Sequence, residues 1–196
     1  NTGGQASKST PRGAVAKFAA AGKNSGKKDL GMIAQLYGNV YVAQISMGAN
    51  QQQTVRALAE AEAWDGPSLI IAYSTCIAHG IDMETSMSHQ GDAVATGYWP
   101  LYRFRPDQAK PLKMDSKAPT GSVIDFMSKE TRFNMLRRTN PEAAEQLGKL
   151  AQADAEQKWQ YYSALAGMSR KSEDGEEKPA APRPAQSQDR AARVKA

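Results

Sequence analysis

Cysteine and histidine are scarce in this 196-residue chain, which contains only Cys76, His79 and His89. A single cysteine excludes an internal disulfide framework. These three residues also fall short of the four ligands of an ordinary structural zinc site, and their spacing matches no standard zinc motif. Any metal bound through Cys76 must therefore take further ligands from elsewhere.

Long apolar runs are absent as well. No stretch approaches the roughly 18 consecutive apolar residues that a membrane helix needs, and residues 1–8 carry no apolar signal region. We therefore expect a cytoplasmic protein with no membrane partner. The composition of 40% hydrophobic and 23% charged residues is ordinary for a globular domain with an appendage.

The chain also lacks an initiating methionine and opens directly on Asn1, followed by a Gly-Gly pair. This beginning favours a cut inside a larger protein, because a loop-like dipeptide has nothing structured ahead of it. The pair at positions 3 and 4 lacks the spacing of a Walker loop. Its small residues would still let the backbone approach a ligand, although a plain surface loop is the alternative.

Charge is distributed unevenly, although the net charge is only +5. Six basic residues precede the first acid, Asp29: Lys8, Arg12, Lys17, Lys23, Lys27 and Lys28. This excess suits a phosphate-bearing partner, with a solvated face as the alternative. A nucleic-acid surface would require interleaved aromatic residues, and the stretch contains only Phe18, so we expect no nucleic-acid partner.

The hydrophobic pattern predicts an α/β fold. A ligand loop and a short helix over 14–21 are expected first, then a helix over 29–37 ended by Gly38 and a buried strand over 40–47. Asn50 is the expected N-cap of the next helix, which ends at a Gly-Pro pair. The continuous apolar run over 68–74 predicts a parallel strand covered on both faces.

The second half of the chain predicts fewer strands. We expect a helix over 88–97, an aromatic strand over 98–104 and a loop over 106–120. A long helix should begin after the N-cap Asn140, with one apolar stripe. We expect residues 169–196 to form a disordered tail, because large apolar residues are nearly absent there. This organisation divides the chain at 1–126, 127–168 and 169–196.

Cys76 is the leading candidate for chemistry. It follows the 68–74 strand, and open α/β sheets bind ligands at the edge where their strands end. Residue types alone leave three alternatives open: a small buried hydrophobic residue, a zinc ligand, or the nucleophile of a cysteine-dependent hydrolase paired with His79 or His89. No spacing identifies an orienting acid or an oxyanion hole.

Several blocks, in the same order, resemble pyruvate:ferredoxin (or flavodoxin) oxidoreductase. They include Asn1-Thr2-Gly3-Gly4-Gln5-Ala6-Ser7-Lys8, Gly13-Ala14-Val15-Ala16-Lys17-Phe18, Ser46-Met47-Gly48-Ala49-Asn50, Gly66-Pro67-Ser68-Leu69-Ile70-Ile71-Ala72-Tyr73, Cys76-Ile77 with His79-Gly80-Ile81, and Gly97-Tyr98-Trp99-Pro100-Leu101-Tyr102-Arg103. The similarity runs from Asn1 to about Leu165. It implies the C-terminal portion of a thiamine-diphosphate-binding domain, with a parallel sheet flanked by helices and a C-terminal long helix.

The resemblance also implies site residues and cofactors. Asn1 would bind thiamine diphosphate and face the reacting centre, where its amide can hydrogen-bond the substrate. Cys76 would ligate iron of a [4Fe-4S] cluster, and His79 would donate a hydrogen bond near the sulfur. The ligands of Mg²⁺ and three further cluster thiolates would precede this chain.

The reaction implied by the resemblance is the oxidative decarboxylation of pyruvate with coenzyme A, giving acetyl-CoA and CO2, with ferredoxin or flavodoxin as the electron acceptor. A homodimer is implied for the full-length enzyme, and inactivity is expected for this chain alone. Another 2-oxoacid:ferredoxin oxidoreductase, or a basic module that binds phosphate or nucleic acid, is the alternative.

Overall fold

The structure is a computed structural model and describes residues 4–169. Its helices are α1 (Leu30–Gln35), α2 (Gln51–Glu62), α3 (Ser86–Ala95), α4 (Val123–Met127), α5 (Thr131–Thr139) and α6 (Pro141–Gly167). Its strands are β1 (Tyr41–Ile45), β2 (Ser68–Ala72), β3 (Tyr102–Phe104) and β4 (Leu112–Met114). Two single 3-10 turns, Ile77–His79 and Met83–Thr85, lie between β2 and α3. The predicted α/β class with a long C-terminal helix is confirmed.

The four strands form one mixed sheet in the order β2-β1-β3-β4. Strands β1 and β2 are parallel, with Val42 opposite Leu69, and α2 connects them. Strand β3 runs antiparallel to both β1 and β4. The parallel pair agrees with the sequence pattern, but β4 lies inside the predicted loop over 106–120. That strand was missed because its three residues include the charged Lys113 and give no alternating pattern long enough to recognise.

Both faces of β1 are buried, whereas β2 is only half covered. Ser68 and Ala72 are exposed, and the three residues between them are partly buried. Strand β2 lies at the edge of the sheet among the described residues, so only one neighbouring strand pairs with it. The prediction of a strand covered on both faces is therefore wrong for this part of the chain.

Helices pack on opposite faces of the sheet because side chains of successive strand residues alternate in direction. Val42, Tyr102 and Phe104 pack with Ala34 of α1 and Tyr162 of α6. On the other face, Tyr41, Ala43 and Ile45 pack with Ala57 of α2. The sheet therefore lies between two helical layers, with α1 and α6 on one face and α2 on the other.

Local sequence determines the ends of the clearest helices. The Asn50 side chain accepts a hydrogen bond of 2.9 Å from the Gln53 N–H at the start of α2. Asn140 caps α6 in the same way, with 3.0 Å to the Ala143 N–H. Both predicted caps are confirmed, because a short side-chain oxygen satisfies an N–H group that the first turn leaves free.

The stripe of α6 docks as the sequence pattern predicts. Gly148, Ala151, Ala155 and Tyr162 are its buried residues, and the helix contacts α4, α5 and β4. The predicted boundary at residue 126 falls inside α4, whose Phe126 and Met127 share a core cluster with Ala151. The division into segments stays a prediction, and residues 170–196 of the predicted tail lie outside the described part.

Residues 14–21 do not form the predicted helix. Their backbone bonds go to distant partners, such as the Val15 N–H to the Arg132 carbonyl at 2.8 Å. Gly13, Phe18 and Gly22 all have positive φ angles, which a right-handed helix does not contain. Tertiary hydrogen bonds therefore overrode the local helix preference of an alanine-rich stretch.

Among residues 4–169, no helix combines the length and the apolar character required to cross a membrane.

Candidate functional site

The site lies where the parallel strands β1 and β2 end. The Ile45 carbonyl at the end of β1 accepts two hydrogen bonds, from the Tyr73 N–H and from Nε1 of Trp99, each at 3.0 Å. The rings of Tyr73 and Trp99 meet edge to face with centroids 5.3 Å apart. The end of β1 therefore holds both aromatic side chains in a defined orientation at the edge where α/β sheets bind ligands.

Cys76 lies three residues beyond Tyr73, on the loop that leaves this edge. It precedes the 3-10 turn Ile77–His79, and its carbonyl accepts a hydrogen bond of 2.9 Å from the His79 N–H. The residue is exposed and its thiol is free. The alternative of a small buried hydrophobic residue is therefore wrong, and the thiol is accessible to a group outside the described residues.

The loop that carries Cys76 is fastened to α5. Gly80 ends the 3-10 turn in the left-handed region, with φ at 67°. Its carbonyl accepts two hydrogen bonds from Thr131, one from the backbone N–H at 3.1 Å and one from the hydroxyl at 2.8 Å. A Cβ at position 80 would lie only 2.4 Å from the Thr131 side chain. Glycine is thus required at position 80 both by its φ angle and by this close approach.

Cys76 is the one thiol that the described residues could offer to a metal. No three Cys, His, Asp or Glu side chains within residues 4–169 come together in an arrangement that could hold a metal ion. Cys76 is the only cysteine of the chain. An exposed thiol at the edge of a sheet fits one of the four ligands that a [4Fe-4S] cluster takes, and the other three would have to come from outside.

Neither histidine side chain is hydrogen-bonded to Cys76 among the described residues. Nε2 of the buried His89 lies 2.8 Å from a Glu130 carboxylate oxygen, and its ring stacks on Phe126. The His79 side chain makes no hydrogen bond to Cys76 within the described residues, and its Nδ1 is buried without a partner. Neither histidine is therefore placed as the base of a Cys76 nucleophile, and the expected hydrogen bond from His79 to the sulfur is absent.

Asn1 lies outside the described residues, so its predicted role stays a prediction. The loop that follows it is ordered from Gly4 by backbone bonds to Lys17, with Ala6 N–H to Lys17 carbonyl at 2.8 Å and Lys17 N–H to Gly4 carbonyl at 3.2 Å. Gly4 has a positive φ of 69°. These bonds join the start of the described chain to Lys17 of the same N-terminal segment.

Two of the six leading basic residues are used internally. Arg12 forms a bidentate ion pair with Asp154 of α6, with bonds of 2.7 and 3.1 Å. The Lys23 ammonium donates to three carbonyl groups, including that of Thr10 at 2.6 Å. Such buried or saturated cations are unavailable to a phosphate backbone, which argues against a nucleic-acid surface built on this stretch.

Lys27 differs from these residues because it faces a cavity. Its ammonium lies 4.7 Å from the centroid of the Trp99 ring, and no carboxylate among residues 4–169 forms an ion pair with it. Although part of the side chain is exposed, burial lowers its pKa to about 8, and the positive charges of Lys158 and Arg132 lower it further. The lysine is exposed to solvent on one side and lines the cavity on the other, so it is a partly desolvated cation beside the carboxyl edge of the sheet.

The cavity at Lys27 has a volume of about 240 Å³. Its polar lining includes Ser9, Lys27, Tyr73, His79, Tyr98 and Arg132. The Tyr73 hydroxyl and Nδ1 of His79 are buried and form no hydrogen bond of ordinary length in the described residues. Burial, and next the charge of the nearby Glu130, raise the pKa of Tyr73. Burial raises the pKa of Tyr98 to about 12, and it lowers the pKa of His79, with the Arg132 charge as the next cause. At neutral pH the phenols keep their protons, and the imidazole is uncharged.

A buried charge cluster lies behind this cavity. The Glu130 carboxylate is fully buried and accepts hydrogen bonds from His89 and from Nε of Arg132. Arg132 is therefore balanced by Glu130, whereas Lys27 has no such partner in the described residues. No local sequence pattern marks Glu130 or Arg132, because positions 27, 89 and 130–132 become neighbours only through the fold.

No family model matches this chain. It is 55% identical over 170 residues to a pyruvate-flavodoxin oxidoreductase of Nostoc sp., covering 85% of this chain and 14% of that protein. It is 52% identical over 170 residues to a pyruvate:ferredoxin oxidoreductase of Moorella thermoacetica, with the same coverage of 85% and 14%. A pyruvate-flavodoxin oxidoreductase of Klebsiella pneumoniae is 50% identical over 173 residues, covering 85% of this chain and 15% of that protein.

The chain spans only about 14% of the length of the curated relatives it matches. Identity of 50% or more over about 170 residues is far above the level at which unrelated sequences align by chance, and it confirms the resemblance seen in the sequence blocks. Over this shared region, the chain is homologous to a segment of the pyruvate-flavodoxin and pyruvate:ferredoxin oxidoreductases and belongs to that family.

Proposed function

We propose that this chain is the part of a pyruvate:ferredoxin or pyruvate-flavodoxin oxidoreductase that completes the thiamine-diphosphate site and contributes one ligand to a [4Fe-4S] cluster. The main support is the position of Cys76, its only cysteine, which is exposed at the carboxyl edge of a parallel strand pair in a segment 52–55% identical to two enzymes of those names. An exposed thiol is available to a cluster whose other ligands come from outside this chain.

The proposed reaction is the oxidative decarboxylation of pyruvate with coenzyme A, giving acetyl-CoA and CO2, with electrons passed to ferredoxin or flavodoxin. Thiamine diphosphate, held with Mg²⁺, would supply an electron sink for decarboxylation, and the clusters would accept single electrons. The Asn1 amide would hydrogen-bond the substrate near its reacting carbon. The full-length enzyme would be a homodimer, and this chain alone would be inactive.

The contribution of this chain is mainly the positioning of Cys76. Thr131 and the left-handed Gly80 hold the loop against α5, so the backbone that carries Cys76 is held near α5 before a cluster is present. A ligand held in place requires less reorganisation when its oxidation state changes, and the surrounding hydrogen bonds influence the reduction potential.

The test uses an enzyme that contains this segment together with the rest of the protein. Cys76→Ala should remove one four-iron cluster from the iron content and abolish most electron transfer from pyruvate, while thiamine diphosphate stays bound. Ile77→Ala is the matched control, because Ile77 is the next residue and is 79% exposed. Unchanged iron content in the Cys76→Ala enzyme would contradict the assignment.

For the 196-residue chain alone, we expect neither pyruvate oxidation nor a stable cluster. Anaerobic reconstitution with iron and sulfide should leave the chain without a four-iron absorption spectrum, since one thiolate cannot hold a cubane cluster. A stable four-iron spectrum with one cluster per chain would refute this expectation.

A further inference from the structure

We propose that the cavity between Lys27, Tyr73 and Arg132 binds a phosphate group, either free phosphate or the phosphate of an organic ligand. This site lies beside the carboxyl edge of the sheet and involves neither Asn1 nor Cys76. The inference rests on described residues of this chain, and it holds whether or not the chain serves in pyruvate oxidation.

Hydrogen-bond donors dominate the polar lining of this cavity. Lys27 and Arg132 can only donate, and the buried Tyr73 hydroxyl forms no hydrogen bond of ordinary length, although Glu130 lies close enough to raise its pKa. The unpartnered Nδ1 of the neutral His79 can carry a proton and donate as well. A buried donor without a partner is costly, and an oxyanion with several acceptor oxygens would satisfy these groups together.

The local charge also favours an anion. Arg132 is balanced by the buried Glu130, and Lys158 by Asp29 at 3.1 Å, whereas Lys27 has no carboxylate partner among residues 4–169. In the described residues, the one contact of the Lys27 ammonium is with the face of the Trp99 ring. Lys27 therefore supplies an unpaired positive charge, which an incoming anion would neutralise.

The size and shape of the cavity favour phosphate over a carboxylate. The donors come from separate parts of the fold, namely the N-terminal loop, the end of β2, the 3-10 turn and α5. A tetrahedral anion presents oxygens in several directions, while a carboxylate presents two in one plane. A volume of about 240 Å³ exceeds the space of a few water molecules, each of which occupies about 30 Å³ in the liquid.

A second cavity adjoins the first, because Pro11, Lys27, Tyr98 and Trp99 line both. It has a volume of about 430 Å³ and is closed on one side by α6. The aromatic faces of Trp99 and Tyr161 line it. If the phosphate belongs to an organic ligand, this larger cavity provides the space for the attached apolar or aromatic group.

The test measures binding of inorganic phosphate to the 196-residue chain at pH 7 and constant ionic strength by titration calorimetry. Lys27→Gln should weaken binding by at least about tenfold, the size expected for a lost charge-assisted hydrogen bond. Lys28→Gln is the matched control, because it removes the same charge at the neighbouring exposed position and should leave the affinity within about twofold. Equal weakening by both variants, or no saturable binding to the unmodified chain, would overturn the proposal.

A second measurement needs no variant. The pKa of Lys27, followed by NMR of its side-chain carbon, should rise when phosphate saturates the site, because the bound anion stabilises the ammonium form. The charged groups that act on Lys27 are Lys158 of α6, Arg132 of α5, and Asp29 and Lys23 of its own loop. The titratable groups that line the two cavities with it are Tyr73, His79, Tyr98, Arg12, Asp154, Tyr161 and Tyr162. A pKa that stays at about 8 in saturating phosphate would overturn the proposal.

Competing ligands distinguish the source of the phosphate. Tighter binding of adenosine monophosphate than of free phosphate would assign the larger cavity to an organic group. Tighter binding of free phosphate would identify a site for the ion alone, and either result supports the phosphate site. Acetate binding as tightly as phosphate would overturn the choice of phosphate.

Discussion

Thr131 donates two hydrogen bonds, one from its backbone N–H and one from its hydroxyl, to the carbonyl oxygen of Gly80. This contact joins the loop that carries Cys76 to the start of α5. The loop that carries the candidate ligand is thus anchored to Thr131, a residue 55 positions beyond Cys76 in sequence.

Replacement of Gly80 by alanine tests this connection. The new Cβ would lie 2.4 Å from the Thr131 side chain, and the φ of 67° is unfavourable for alanine. We expect a loss in the free energy of unfolding of about 1–2 kcal/mol from the backbone alone and about 1–3 kcal/mol more from the close contact. Urea unfolding measures the sum.

The control for this change is Gly38→Ala. Gly38 also has a positive φ, 75°, but a Cβ there would meet no atom within 4 Å. Only the backbone cost of about 1–2 kcal/mol is expected. If the two variants were equally stable, contact with Thr131 would not be what excludes a side chain from position 80.

Arg103 is the centre of a buried ion cluster and provides a second prediction. It lies between Asp115, with bonds of 2.8 and 2.9 Å, and Glu60, and its side chain is 6% exposed. Arg103→Ala would leave two carboxylates without their cation, so we expect the free energy of unfolding to fall by about 3–5 kcal/mol. Thermal and urea unfolding both measure this loss.

The control is Arg105→Ala, two residues further on the same side of the chain. Arg105 pairs with Asp107 at 2.8 Å, but its side chain is 39% exposed. An exposed pair contributes at most about 1 kcal/mol because water and salt screen it. A similar loss of unfolding free energy in both variants would mean that burial does not make the Arg103 ion pairs more important for stability than the exposed Arg105 pair.

The lowered pKa of Lys27 predicts a pH dependence of stability. The pKa is about 8 in the folded chain against an ordinary value of 10.5. Between these values the unfolded chain binds more protons at this residue, so the Lys27 contribution to stability rises with pH from about 8 to 10.5. Lys27→Met should lack this rise, and the measurement is the difference in unfolding free energy between the two chains from pH 7 to pH 10.

Other groups titrate near the upper end of this window, so the comparison needs a control. Burial raises the pKa of Tyr98 to about 12, and its contribution is lost only as pH rises above the ordinary value of 10.0. The Lys28→Met variant keeps both Lys27 and Tyr98, and the pH dependence of its unfolding free energy should follow that of the unmodified chain. A rise with pH that persists in Lys27→Met would assign the effect to another residue.

Exposure of Cys76 predicts rapid reaction with thiol reagents in the folded chain. A disulfide exchange reagent should modify one thiol per chain without denaturant, at a rate within about tenfold of that in urea, because access does not require unfolding. Absorbance of the released thiolate follows the reaction. Protection by a factor of a thousand or more would show that the thiol is buried and would contradict its availability as a ligand.

Local signals predicted some elements well. Asn50 and Asn140 cap their helices as expected, because capping depends on residues within one turn. The edge position of Cys76 was also predicted, since the loop follows directly from a recognisable strand. By contrast, the irregular course of residues 14–21 depends on partners far away in sequence, such as Arg132. Strand β4 pairs with the nearby β3 but is only three residues long, too short for a recognisable alternation.

The cavity at Lys27 likewise could not be predicted from local sequence. The sequence marked Lys27 only as one of six basic residues, and Arg12 and Lys23 of that group are paired or saturated in the fold. Nothing in the local pattern distinguishes Lys27 from Lys28. Lys27 differs from Lys28 because the fold brings Trp99 and Arg132, which are distant in sequence, beside Lys27.

The sequence by itself determined the α/β class, the helix caps, the long stripe of α6 and the family resemblance, because each depends on residue order and on short-range periodicity. Tertiary structure decided that Cys76 is exposed, that Thr131 holds its loop, and that Lys27 lacks a carboxylate partner in the described residues. Burial, pairing and the resulting pKa values depend on which distant side chains meet, and only the folded arrangement specifies those contacts.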